Sequence, residues 1–208
     1  MKETLDIFAR ERCSAILRTG HASAVQPALQ AAVDGGFQII ECTLSTPGAL
    51  DAIRAFAGKG DLLVGAGTVL TTEEAEASLD AGAKFIVSPV MDPEVITWCV
   101  DRDVVVVPGT STPTEMLTAH RAGAPIVKYF PGPPDGPTTV RTILGPMPFL
   151  RILPTSGVTL QNAAAYLEAG AFGLGFVNCL FEPDDIANER FDEIRGRASK
   201  MVAAAKGH

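Results

Sequence analysis

Residues 103–109 read DVVVVPG. Four consecutive valines leave no polar position for a solvent-facing side, so a strand here must be covered on both faces. That is the environment of parallel strands joined by helical crossovers, whereas a half-exposed strand alternates apolar and polar residues. The same composition recurs in both directions along the chain. CSAIL (13–17), FQIIECT (37–43), LLVGAGT (62–68), KFIVS (84–88), PIVKYFP (125–131), FLRILPT (149–155) and AFGLG (171–175) are apolar almost throughout. Between these runs lie Ala-, Leu- and charge-rich segments such as SAVQPALQAAVDGG and TTEEAEASLDAGA, with apolar residues at three- and four-residue intervals, the period of a helix with one buried face. Several end in glycine (Gly35-Gly36, Gly82, Gly123, Gly170), as helix C-termini do. Eight strand–helix units in about 200 residues predict an α/β fold, a (β/α)8 TIM barrel, with a doubly wound open sheet as the alternative.

The chain of 208 residues is 47% hydrophobic and 20% charged, with a mean hydropathy of +0.22. It shows no linker-like shift in composition, so residues 1–208 read as a single domain opening on an N-terminal helix. No apolar run approaches the roughly 20 residues that span a bilayer. The start, MKETLDIFARERC, is charged and amphipathic and lacks the apolar centre of a signal peptide, which predicts a cytoplasmic protein without a membrane partner. Net charge is −7, and the basic residues are scattered, so no nucleic-acid partner is expected. Cys13, Cys42, Cys99 and Cys179 share no CxxC spacing and read as buried free thiols. His21, His120 and His208 are too dispersed to suggest a metal site.

Chemistry in such a barrel sits at the C-terminal strand ends. Glu41 and Thr43 end the second run, Thr68 the third and Thr155 the seventh, while Lys128 lies near the end of the sixth. In APIVKYFPG (124–132) Lys128 interrupts a β-branched and aromatic run. One reading is structural: the lysine snorkels from the strand end or pairs with a carboxylate. The other is chemical: burial disfavours the ammonium and frees an amine able to attack a ketone and form a Schiff base. Glu41, in IIECTL, divides in the same way, between an ion-pair partner for Lys128 or Arg18 and a proton shuttle.

The series AILR, IIECTLSTPGA, VGAGTVLT, FIVSPVMDPEV, VPGTSTPTE, VKYFPG and ILPTSGV, in this order over about residues 13–181, resembles the 2-keto-3-deoxy-6-phosphogluconate (KDPG) aldolase / 4-hydroxy-2-oxoglutarate (KHG) aldolase family. The resemblance implies a class I aldolase, a homotrimer that needs no metal or other cofactor. It makes Lys128 the Schiff-base lysine and Glu41 the general acid/base. Thr155 matches a contact to the pyruvate part, Thr68 a pocket residue and Arg18 an anion partner at the entrance; Thr43 and Pro89 complete the expected substrate-binding set. The expected partners are a 2-oxo acid substrate and pyruvate. KDPG, giving pyruvate and glyceraldehyde 3-phosphate, is the first-choice substrate; KHG, giving pyruvate and glyoxylate, is the alternative.

The loops that hold phosphate in this family depart from its pattern. PTSGV has Ser156 where the first Gly is usual and keeps Gly157. GLGFVNCL keeps Gly175 but has Val177 and Asn178 where Gly and Ser are usual. Glycine permits close approach of an anion and a β-branched residue resists it. Ser156, Gly157, Gly175 and Asn178 remain the candidate phosphate contacts, and Ser45 is the polar residue just after the glutamate strand. Two other classes stay open. A barrel isomerase or synthase of phosphorylated metabolites would want an intact phosphate loop, and a non-catalytic scaffold would have no use for Lys128 and Glu41 together.

Overall fold

The computed structural model describes residues 1–132 and 135–207; His208 and residues 133–134 of the PGPPDGP loop lie outside the described residues. The chain is an α/β fold. Among the described residues nine strands occur: β1 (Cys13–Leu17), β2 (Ile39–Thr43), β3 (Leu63–Gly67), β4 (Phe85–Val87), β5 (Val105–Val107), β6 (Gly109–Thr110), β7 (Val127–Tyr129), β8 (Ile152–Pro154) and β9 (Leu174–Phe176). The helices are α1 (Lys2–Glu11), α2 (Val25–Asp34), α3 (Ala49–Phe56), α4 (Thr72–Asp80), α5 (Pro93–Val100), α6 (Pro113–Arg121), α7 (Pro137–Leu144), α8 (Ala163–Glu168), α9 (Pro183–Ala187) and α10 (Phe191–Lys206). Every ladder between these strands is parallel, as the unalternating apolar runs require.

The eight apolar runs give nine strands, and their ladders fall into two sheets. Ladder bonds form a six-stranded sheet, β5-β4-β3-β2-β1-β9, and a three-stranded sheet, β6-β7-β8. Pro108 divides the DVVVVPG run: it offers no N–H to a ladder, so Val105–Val107 pairs with β4 and Gly109–Thr110 with β7. On the opposite side the two sheets meet through a single parallel bridge, Thr155 to Gly175, and a bond from Phe172 N to Ile152 O of 2.8 Å. The strands are also shorter than the runs that announce them. Thr68 lies just past β3 and Thr155 just past β8, while Lys128 is the central residue of β7.

Alternation along each strand divides the core in two. Ile40, Cys42, Val64, Ile86, Val106 and Val127 belong to the layer between strands and helices. Ile39, Leu63, Phe85, Val105, Ile126 and Leu153, drawn from both sheets, form a second cluster that the strands enclose. The N-terminal helix seals this second cluster from below. Phe8 of α1 packs edge-on against Phe85, with ring centroids 5.1 Å apart, and the Met1 amine pairs with Asp103 at 2.8 Å. The glycines that follow α2, α4, α6 and α8 hold left-handed φ values, from 98° at Gly170 to 105° at Gly36, and so end those helices before the next strand.

Candidate active site

The register along β2 and β7 builds the site. Glu41 and Thr43 share the face of Ile39, and Lys128 shares the face of Ile126, so the enclosed apolar cluster gives way to polar groups toward the C-terminal strand ends. By the same alternation Arg18 follows Ser14 and Ile16 of β1, Pro89 follows Phe85 and Val87 of β4, and Thr155 follows Leu153. All of these residues stand on one side of the strands.

Burial then sets the electrostatics. Glu41 is 2% exposed and Lys128 7%. Removal from water pushes the Glu41 carboxyl above the ordinary carboxylate range, against the opposing pull of the Lys128 charge. The Lys128 ammonium is held below its ordinary value by burial; Glu41 opposes this shift and Arg18 adds to it. Among the described residues no hydrogen bond or ion pair joins the two groups, and Glu41 Oε1 is buried without a partner. Lys128 Nζ lies over the Phe130 ring, 4.9 Å from its centroid. The arrangement is an amine and an acid that are both biased toward their neutral forms, close enough to influence each other and not locked together.

Beyond this pair, a cavity of about 160 Å³ opens at the mouth, lined by residues that include Arg18, Phe130, Ser156, Gly157, Val177 and Asn178. Arg18 is the one cation among its described lining residues. Ser156 and Gly157 both have left-handed φ, 74° and 75°, which makes the turn after β8. The Cys179 thiol donates to Val158 O at 3.0 Å, and Arg197 of α10 donates to Leu180 O at 3.1 and 3.0 Å. The loops after β8 and β9 are thus tied to each other and to the helical shell. Gly175 allows Thr155 to sit against β9, because a Cβ there would stand 2.6 Å from Thr155 Oγ1.

Thr43 is buried and its hydroxyl is already engaged, 3.0 Å from Thr46 Oγ1 and 3.2 Å from Ser45 Oγ. Thr46 Oγ1 in turn accepts from Thr19 N at 3.3 Å, a chain that braces the loop after Arg18. Pro89 is half-buried, and its carbonyl lies where a Cβ on Gly109 would be, 2.2 Å away. Thr68 has φ 60°, a strained conformation for a β-branched residue. Phe130 and Thr159, which the sequence reading did not single out, also line the cavity; the FPG and PTSGVT runs beside the named motifs were their only signal. A larger cleft, about 990 Å³, lies at the opposite end of the strands between α1 and residues such as Gln38 and Lys84, away from Lys128 and Glu41.

Burial pushes the thiols of Cys13 and Cys42 up to about 12 and that of Cys99 to about 11, which suppresses thiolate chemistry near neutrality. Among the described residues no three His, Cys, Asp or Glu side chains are grouped to hold a metal ion, and no helix is long and apolar enough to cross a membrane.

The family model for KDPG and KHG aldolase matches residues 6–196. A 2-dehydro-3-deoxy-phosphogluconate aldolase of Treponema pallidum is 38% identical over 143 residues, 68% of each chain. A probable 2-dehydro-3-deoxy-6-phosphogalactonate aldolase of Rhizobium meliloti is 34% identical over 193 residues, covering 91% of this chain and 89% of the relative. A solved structure described as native KDPGal superposes with a TM-score of 0.85 at 31% identity, over 94% of both chains.

Proposed function

We propose, since this chain belongs to the KDPG and KHG aldolase family, that it is a class I aldolase cleaving a 2-oxo-4-hydroxy acid to pyruvate and an aldehyde, with KDPG as first substrate and glyceraldehyde 3-phosphate as its aldehyde. The observation that carries this reading is the burial of Lys128 together with Glu41, with no ion pair between them among the described residues and Glu41 Oε1 left without a partner there. An amine whose charged form is disfavoured by burial is available as a nucleophile near neutrality.

Lys128 attacks the C2 carbonyl to give a carbinolamine, and loss of water gives an iminium. The iminium takes the electron pair released as the C3–C4 bond breaks. Glu41, directly or through a water, accepts the C4 hydroxyl proton as the aldehyde carbonyl forms; the new positive charge at Lys128 favours the ionised carboxylate at this step. The enamine is then protonated at C3, and hydrolysis releases pyruvate and returns the amine. Arg18 meets an anionic group at the mouth, Thr155 and Thr68 flank the pyruvate part, and Thr43 and Pro89 shape the walls. Ser156, Gly157, Gly175 and Asn178 receive the distal phosphate. No metal or organic cofactor enters these steps.

A second substrate class is favoured by one observation. Val177 lines the distal cavity beside Asn178, and a valine side chain has no hydrogen bond to offer a phosphate. An unphosphorylated substrate such as KHG, yielding glyoxylate, fits that wall.

The fold reading extends to a closed (β/α)8 barrel, supported by the Thr155–Gly175 bridge and by chain continuity through Pro108, and to a homotrimer. Leu70 and Val90, 47% and 49% exposed in the loops after neighbouring β3 and β4, give a trimer apolar surface to bury; light scattering on the eluting protein measures its mass. The free thiols suit a cytoplasmic, reducing setting.

Incubation with pyruvate and borohydride, followed by intact mass, tests the nucleophile. A mass gain that disappears in Lys128→Ala is expected. No gain under conditions where a known class I aldolase is trapped refutes the reading. Cleavage of phosphorylated and unphosphorylated 2-oxo acids, compared by kcat/KM, decides between the substrate classes.

A further inference from the structure

One element of the site is an absent side chain. Gly67 ends β3 opposite Thr43 in the ladder, and its carbonyl accepts from Leu44 N at 2.8 Å. A Cβ built on Gly67 would stand 1.9 Å from Glu41 Oε1, 2.7 Å from Cδ and 3.0 Å from Cγ, and these are its three nearest neighbours. The carboxyl of Glu41 therefore occupies the volume that any other residue at position 67 would fill. We propose that Gly67 is the positioning residue of the acid/base group: its missing side chain forms the cell that holds the Glu41 carboxyl away from Lys128.

Three observations support this assignment. The backbone does not require glycine, because Gly67 is absent from the positive-φ positions of the chain. Nor can the backbone retreat easily, being bonded within the sheet on the β2 side. Oε1 within the cell is also buried and has no hydrogen-bond partner among the described residues. Two residues earlier, Gly65 leaves a similar space on the same face, filled there by the Phe85 ring at 2.2 Å from a built Cβ. Thus β3 presents two empty slots in succession; an aromatic ring takes the lower and a carboxyl the upper. The obstacle to a side chain at 67 is the far end of a flexible side chain, so Gly67→Ala moves the carboxyl rather than the fold.

This inference rests on the reading of Glu41 as acid/base, and the experiment separates the two. Gly67→Ala, Glu41→Gln and the double variant are compared by kcat and KM for cleavage, by the pH profile of kcat, by pyruvate trapping and by urea midpoint. Gly67→Ala is expected to fold with a near wild-type midpoint and to trap pyruvate on Lys128. Its kcat is expected to fall about 100-fold with little change in KM, and the limb of the pH profile that reports the acid is expected to move. In the Glu41→Gln background the alanine should cost nothing further. An unchanged kcat and pH profile in Gly67→Ala, or an equal further loss in the Glu41→Gln background, overturns the role of Gly67 while leaving Glu41 in place. A wild-type kcat in Glu41→Gln overturns the acid/base reading itself, and the inference with it. If Gly67→Ala folds poorly, Gly67→Ala/Glu41→Asp, whose shorter acid vacates the cell, should recover the wild-type midpoint; failure to recover it means that Glu41 is not what fills the volume.

Discussion

Replacing the buried pair by two methionines, Glu41→Met/Lys128→Met, is expected to abolish activity and stabilise the fold. Both side chains are nearly sealed from water, at 2% and 7% exposure, and among the described residues neither gains an ion pair from the other. Ionisable groups buried without such compensation cost stability, whether desolvated or held neutral, and exchange of a buried ionisable pair for apolar groups of similar volume is expected to return about 1–4 kcal/mol. For a chain of this length that raises Tm by about 2–4 °C per kcal/mol. The pH dependence carries a sign for each group. Burial raises the Glu41 carboxyl, so between its ordinary and raised values the native state holds more protons than the unfolded chain, and stability falls as pH rises through that window. Burial lowers the Lys128 ammonium, so the unfolded chain holds more protons between the lowered and the ordinary value, and stability rises with pH there. Lys128→Met should keep only the falling limb, Glu41→Met only the rising one, and the double variant neither. Urea midpoints measured at intervals from about pH 5 to 10 read all three curves. A double variant less stable than wild type by about 1 kcal/mol or more would show a net-stabilising ion pair with a charged lysine, and the free-amine reasoning would fail.

Other outcomes follow from the same geometry. Glu41→Gln should still be trapped by pyruvate and borohydride yet lose about 10²- to 10⁴-fold in kcat for cleavage, read by coupled detection of released pyruvate. Arg18→Ala removes the one cation among the described lining residues of the distal cavity; KM for an anionic substrate should rise about tenfold or more, the scale of a charge-assisted hydrogen bond, with the urea midpoint unchanged. Val177→Gly should raise kcat/KM for phosphorylated over unphosphorylated substrate, and an unchanged ratio would remove this side chain as the determinant. Phe85→Ala empties the slot beneath the site and loses the contact with Phe8, at a cost of about 3–5 kcal/mol by denaturant unfolding.

By itself the sequence determined the class of fold and singled out Lys128 and Glu41 as the candidate central residues. DVVVVPG and its companion runs require strands buried on both faces, and parallel ladders follow because only crossover helices cover both faces. Lys128 and Glu41 were legible because a charge inside an apolar strand is a local anomaly, visible without knowledge of what faces it. Tertiary structure decided what depends on distances between strands. DVVVVPG reads as one strand, yet the missing N–H of Pro108 splits it between two sheets. Thr43 looks like a free pocket hydroxyl, yet Ser45 and Thr46 fold back and engage it. Gly67 passes for one more glycine of GAGT, because a sequence shows which side chain is missing and not what occupies its place. That place is filled by a residue 26 positions away along the chain, where Glu41 of β2 lies against Gly67 of β3. The acid is encoded at position 41, and its location depends on an absence at position 67 that only the packed sheet brings beside it.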